Sequence, residues 1–89
     1  MRIELRRQAE DEIDDAAAWY ERNQPGLGSA FTQAVISALS AIAQQPSAYP
    51  PVGRGARRFI IRRFPYVIVY RVQDDVIVVY ACIHTHRDP

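Results

Sequence analysis

The chain has 89 residues, 48% of them hydrophobic and 24% charged, with six prolines, four glycines and a formal net charge of +1. Those values describe one folded domain over residues 1–89 and exclude disorder, collagen and coiled coil as whole-chain descriptions, and a large multi-domain enzyme. Residues 1–50 carry four arginines against seven acids and residues 51–89 seven arginines against three acids, so the second half suits an anionic partner.

Arg2-Ile3-Glu4-Leu5-Arg6 alternates polar and apolar, the period of a half-buried strand with Ile3 and Leu5 inward. From Gln8 the period lengthens. Ile13, Ala16, Ala17 and Tyr20 form one helical stripe, and Glu10, Asp11 and Glu12 sit in the first turn, where the helix dipole favours acids. Asn23-Gln24-Pro25-Gly26 stops this helix. A second follows, with Ser29 as candidate cap, a stripe of Phe31, Val35, Ala38, Leu39 and Ile42, and Pro46 as its end. The short link makes the pair an antiparallel hairpin. Residues 46–56, with Pro50-Pro51, Gly53 and Gly55, read as an irregular loop. Residues 58–62, 66–72 and 76–83 read as strands, the last two joined tightly at Gln73-Asp74-Asp75. The expected fold is therefore α+β in the order β-α-α-β-β-β: a helical hairpin packed on one face of a mostly antiparallel four-stranded sheet.

Two helices cover only one face of such a sheet. A two-residue turn at Asp74-Asp75 sets Arg71 opposite Val78 and Val69 opposite Tyr80. Tyr66, Ile68, Tyr70 and Val72 then share the core face with Ile77, Val79, Ala81 and Ile83. The other face collects Val67, Val69, Arg71, Val76, Val78, Tyr80, Cys82 and His84, joined by Arg58 and Arg62. An apolar surface rimmed by arginine, tyrosine and histidine reads as a docking site. Its expected contacts are Arg58, Arg62, Val67, Val69, Arg71, Val78 and Tyr80.

The longest apolar run, Val76 to Ile83, is far short of the roughly 20 residues of a spanning segment. The charged opening Met1-Arg2-Ile3-Glu4-Leu5-Arg6-Arg7 is unlike a signal peptide. The lone Cys82 leaves no internal disulfide, so the expected setting is a reducing cytoplasm, away from membranes.

Several motifs together resemble a known family. They are Trp19-Tyr20, Pro25-Gly26-Leu27-Gly28, Phe31, the stretch from Pro46 through Tyr49-Pro50, and the arginine–aromatic run Arg62-Arg63-Phe64-Pro65-Tyr66-Val67-Ile68-Val69-Tyr70. The closing His84-Thr85-His86-Arg87-Asp88-Pro89 completes the set. With the β-α-α-β-β-β order, they resemble the RelE/ParE superfamily of toxins from bacterial type II toxin–antitoxin modules, also called plasmid-stabilisation proteins. The resemblance spans nearly the whole chain and is closer to ParE than to RelE. It implies a small growth-inhibiting toxin neutralised by direct binding of a cognate antitoxin, with a heterotetramer as one assembly. It implies DNA gyrase as the target of a ParE-like member, which is not an enzyme. For a RelE-like member it implies mRNA in the ribosome, cut as by an endoribonuclease.

Cleavage of RNA by its own 2′-hydroxyl needs a base, an acid and cations for the phosphorane. Arg62, Arg71 and Arg87 can supply charge, and His84 or His86 a proton relay; Tyr80 can stack a base. Each also has an ordinary use, as a solvated strand arginine, a strand-end histidine or a packing tyrosine. The absence of lysine and of a tyrosine after Tyr80 departs from the RelE pattern and favours gyrase inhibition. Cys82, His84 and His86 at alternate positions show no fourth ligand for zinc, so neither metal nor cofactor is expected. Outside the toxin class, a stand-alone RNA-binding or interaction module is the remaining reading.

Overall fold

Strand β1 (Arg2–Leu5) turns Ile3 and Leu5 toward the core, and the chain then enters α1 (Arg7–Asn23) and α2 (Leu27–Gln44). Strands β2 (Pro51–Gly53), β3 (Ala56–Ile61), β4 (Tyr66–Gln73) and β5 (Val76–His84) follow, in a computed structural model that describes residues 1–86. The sheet has five strands in the order β1-β5-β4-β3-β2, with β1 parallel to β5 and the other pairs antiparallel. The four-stranded expectation was one strand short. The missing strand, β2, lies in the stretch read as loop. It is three residues long and starts at a proline on the sheet edge, so it has no alternation to reveal it. A turn through Gly53, Arg54 and Gly55, all at positive φ, folds it back onto β3.

The helical hairpin forms as expected, but its cap comes from elsewhere. Ser29 lies inside α2 and is exposed; the residue at the helix start is Gly26, in the left-handed region at φ 90°. The free amides of α2 are met by Glu21 of α1. Its carboxylate accepts from the Gly26 N–H at 3.1 Å and from the Gly28 N–H at 3.0 Å. It also places negative charge at the positive end of the helix dipole. Gly28 is the point of closest approach, since a Cβ there would lie 2.6 Å from the Ala17 carbonyl oxygen and 2.9 Å from Glu21 Cβ.

Both helices press one face of the sheet. Phe31, Val35, Ala38 and Ile42 of α2 and Ala9 and Ala16 of α1 are buried against it. By length and composition α2 matches a membrane-spanning helix, although no long unbroken apolar run announces one. In this fold its apolar stripe is used in the core. An aromatic cluster closes one end: Tyr20 stacks on Phe31 at 5.3 Å and meets Phe64 edge-on at 4.8 Å, and Phe31 meets Tyr66 at 5.0 Å. Trp19 packs edge-on against Tyr20 yet stays 44% exposed. Two bonds tie the connection from α2 to β2: the Tyr70 hydroxyl donates to the Pro46 carbonyl at 2.6 Å, and Arg57 Nη1 donates to the Tyr49 carbonyl at 2.7 Å.

Glu21→Ala should lower unfolding free energy by about 1–2 kcal/mol, the scale of a lost charged cap. Gly28→Ala should cost about 1–3 kcal/mol by forcing the helices apart. Chemical denaturation followed by circular dichroism measures both; an unchanged midpoint in either variant contradicts the packing described.

Candidate functional site

The β4–β5 hairpin decides which side chains face away from the helices. Asp74 and Asp75 form a two-residue turn, with φ of 50° and 63°, and Gln73 pairs with Val76. Arg71 therefore lies opposite Val78, as expected. The register then shifts. Tyr70 pairs with Val79 but Val69 pairs with Ala81, leaving Tyr80 as the extra residue of a β-bulge.

Beyond the bulge the parity of β5 inverts. Cys82, expected outside, lies in the core opposite Ile68 at 1% exposure. Ala81 and Ile83, expected inside, share the outer face with Val69 and Val67, and Ile83 is 42% exposed. His84 moves to the core side, opposite Tyr66, with the two rings edge-on at 5.2 Å. Val72, also expected inside, is exposed next to the hairpin turn. β1 ends at Leu5, opposite Val79, so the edge of β5 beyond it has no strand partner. There the Cys82 N–H donates to Glu12 Oε1 of α1 at 2.8 Å.

The outer face is continuous across three strands. β3 sets Arg58 opposite Val69 and Ile60 opposite Val67, and β5 adds Val78, Ala81 and Ile83. Val67 and Val69 are half-buried between neighbours, while Ile60 is 50% exposed. Val78 lies between Glu4 and Arg71 in register and is buried among outer-face side chains. The buried core lies on the opposite face, with the helices.

The cationic residues separate into two places. Arg71 and Arg6 both lie over the Tyr80 ring, their guanidinium carbons 5.2 and 5.5 Å from its centroid. Arg6 arrives there because its N–H donates to the Val79 carbonyl at 2.9 Å, extending β1 alongside β5. Desolvation raises the Tyr80 pKa, but hydrogen bonds from Arg6 and Arg71 and their charge outweigh it and leave it below the usual phenol value. Arg6 was not among the expected site residues; it is legible only once β1 is known to pair with β5.

Of the expected nuclease residues Arg62, Arg71, His84, His86 and Arg87, the described ones are not all gathered at one point. Arg71 is five residues from Tyr66 along β4, about 17 Å from the level of His84 at 3.4 Å per residue. Arg62 is not part of a strand. It lies in the turn past β3, lining with Arg63 a shallow groove of about 250 Å³ against Ala34, Ser37 and Ala38 of α2. His84 and His86 do come together, their rings 5.7 Å apart, but His84 Nδ1 is taken by the His86 backbone N–H at 3.0 Å. Arg87 lies outside the described residues. Among the described residues, no three His, Cys, Asp or Glu side chains gather as a ligand set.

This geometry has relatives. The profile of the ParE toxin of the type II toxin–antitoxin system parDE matches residues 3–89. The chain belongs to the ParE toxin family. It is 26% identical to toxin ParE2 of Mycobacterium tuberculosis over 89 residues, covering 99% of this chain and 85% of that protein. A chain of the chromosomal ParDE system of P. aeruginosa superposes with a TM-score of 0.82 at 19% identity, covering 97% of both chains. A chain of the intact E. coli RelBE toxin–antitoxin complex superposes with a TM-score of 0.71 at 18% identity, over 97% of this chain and 98% of the other. This ParE-family toxin therefore has the RelE/ParE fold, as the sequence motifs implied.

Burial pushes the Cys82 thiol of the toxin up to about 12, with the Glu12 charge adding in the same direction. Because the folded value exceeds the ordinary 9.0, the stability the buried thiol contributes is complete below about 9 and is lost as pH rises toward 12. Native protein should resist alkylation near neutral pH and react on unfolding, and its alkaline loss of stability should shrink in Cys82→Ala. Glu12→Ala should cost about 1–3 kcal/mol by leaving the Cys82 amide without its acceptor. Rapid native-state alkylation, or an unchanged denaturation midpoint for Glu12→Ala, would contradict this packing.

Proposed function

We propose that this toxin inhibits growth by acting on DNA gyrase, without catalysing a reaction itself, and that a cognate antitoxin silences it by covering the outer face of the sheet. The observation that carries the reading is the make-up of that face. Its centre is Ile60, Val67, Val69, Ala81 and Ile83, with no titratable group among them. Cleavage of a phosphodiester needs an acid, a base and cations within hydrogen-bond reach of one phosphate. Here the Arg6–Arg71 pair and the histidines are about 17 Å apart along the strands. An apolar strip with arginines at its margins suits a polypeptide instead.

The two solved relatives come from a ParDE system and from a RelBE toxin–antitoxin complex. A partner of that kind fits this face as an extended or helical segment with apolar anchors and carboxylates. Its apolar residues would lie on Val67, Val69, Ile60 and Ile83, since Val78, an expected contact, is already buried within the chain. Its acids would lie near Arg58, Arg71 and Tyr80, with Arg62 in the turn past β3. A segment that orders on binding must exceed an ordering cost of roughly 2–5 kcal/mol, and burial of this strip supplies the driving force.

Induction of the toxin in cells without its antitoxin should arrest growth while leaving translated mRNA intact. The purified toxin should block supercoiling by purified gyrase. Cut mRNA with unaffected supercoiling would overturn the reading. The product of the neighbouring gene should co-purify with the toxin and restore growth. Val67→Asp should weaken that complex by about 30–100-fold, the cost of burying an unpaired carboxylate in an interface core.

A further inference from the structure

We propose that Arg6, Tyr80 and Arg71 form a carboxylate clamp, a site on the outer face that receives one acidic side chain of a bound polypeptide. Three strands build it. Arg6 follows β1, Arg71 is on β4, and Tyr80 stands between them as the bulged residue of β5. The bulge leaves Tyr80 unpaired in the β4 ladder while its ring stays between the two guanidinium groups.

The clamp holds two cations that nothing in the described chain neutralises. The ion pairs among the described residues are Arg2 with Glu4 and Arg7 with Asp11, so neither Arg6 nor Arg71 has a carboxylate within 4.0 Å. Both instead face one tyrosine ring, at 5.5 and 5.2 Å from its centroid, and have its hydroxyl as their shared polar neighbour. A guanidinium carries five donors, and one hydroxyl oxygen cannot satisfy two such forks. Arg71 Nε is moreover buried with no hydrogen-bond partner. A carboxylate seated side-on would take Nε and Nη of Arg71 as a bidentate pair after a small rotation of the side chain, with Arg6 closing from the other side. One anion would thus relieve the like-charge repulsion and satisfy the orphan donor.

The surroundings select a carboxylate on a polypeptide over a phosphate chain. Arg58 aside, the ground around the clamp is Val69, Val78, Ala81 and the Glu4 carboxylate. A nucleic-acid backbone is held best by cations free of acids, and here the Glu4 carboxylate, paired with Arg2, and apolar side chains lie beside the two arginines. A single acid flanked by apolar residues fits both the charge and the strip beside it. The assignment of a polypeptide as the source of the acid rests on the docking reading of the outer face; the anion site itself does not.

The test uses the full chain with acetate and inorganic phosphate as probes, chloride balancing ionic strength. Nuclear magnetic resonance follows the Arg Nε–H signals and the ring-carbon titration of Tyr80. Acetate should shift the Arg6 and Arg71 signals saturably and raise the Tyr80 titration toward that of the other tyrosines. Arg6→Gln and Arg71→Gln should each weaken acetate binding about tenfold, the size of one charge-assisted hydrogen bond. Their melting temperatures should be unchanged or higher, since each removes one of two repelling charges; Arg71→Lys should keep the charge yet still bind acetate more weakly. No saturable shift, or an unchanged response in Arg71→Gln, overturns the site. Phosphate binding much tighter than acetate overturns the carboxylate assignment. Acetate binding in a toxin that captures no antitoxin would retain the clamp and remove the docking reading; docking without acetate binding would do the reverse.

Discussion

One inserted residue governs the arrangement of this toxin's working surface. The bulge at Tyr80 switches β5 from one face parity to the other midway along its length. On the near side of the bulge Ile77 and Val79 fill the core; on the far side Cys82 does, and Ala81 and Ile83 join the outer face. A regular strand would have buried Ile83 and exposed the thiol. Because β5 is flanked by β1 and β4, its parity also determines what stands beside Arg6 and Arg71. The far half of the core and the open strip both follow from that single irregularity.

The acids of α1 show how local and tertiary demands divide one helix. Of them, Glu10 lies in the first turn, where the dipole favours it. Glu12 reaches across to the Cys82 amide on the unpaired edge of β5, and Glu21 reaches forward to the start of α2. Glu12 thus serves an amide 70 positions away and Glu21 amides five and seven positions away, all of which would otherwise be left without these partners. The acidic excess of the first half is thus partly structural: it closes the helix hairpin and holds the hairpin on the sheet. In the second half Arg57 serves the Tyr49 carbonyl in the same way, but Arg58, Arg62 and Arg71 make no ion pair among the described residues. That asymmetry fits a surface whose counter-charges arrive with a partner.

In this chain the positions facing outward at the centre are branched aliphatic residues, and the polar chemistry lies at the margins. Such a face suits the polypeptide partner proposed above.

The amino-acid sequence by itself determined the helical hairpin, the β3–β4–β5 meander, the two-residue turn at Asp74-Asp75 and the family, because each rests on local periodicity or on residues adjacent in the chain. Ile3 and Leu5, the stripe from Phe31 to Ile42, and Val67 and Val69 all lie where their spacing places them. The tertiary structure alone decided the strand β2, the cap that Glu21 provides for α2, the inversion at Tyr80 and the meeting of Arg6 with Arg71. Three residues of edge strand carry no period, a cap supplied from another helix leaves no mark at the capped end, and a bulge changes parity without changing composition. Arg6 and Arg71 stand 65 positions apart in the chain and become neighbours only when β5 is laid between β1 and β4, since pairing across a sheet obeys geometry that no single strand encodes.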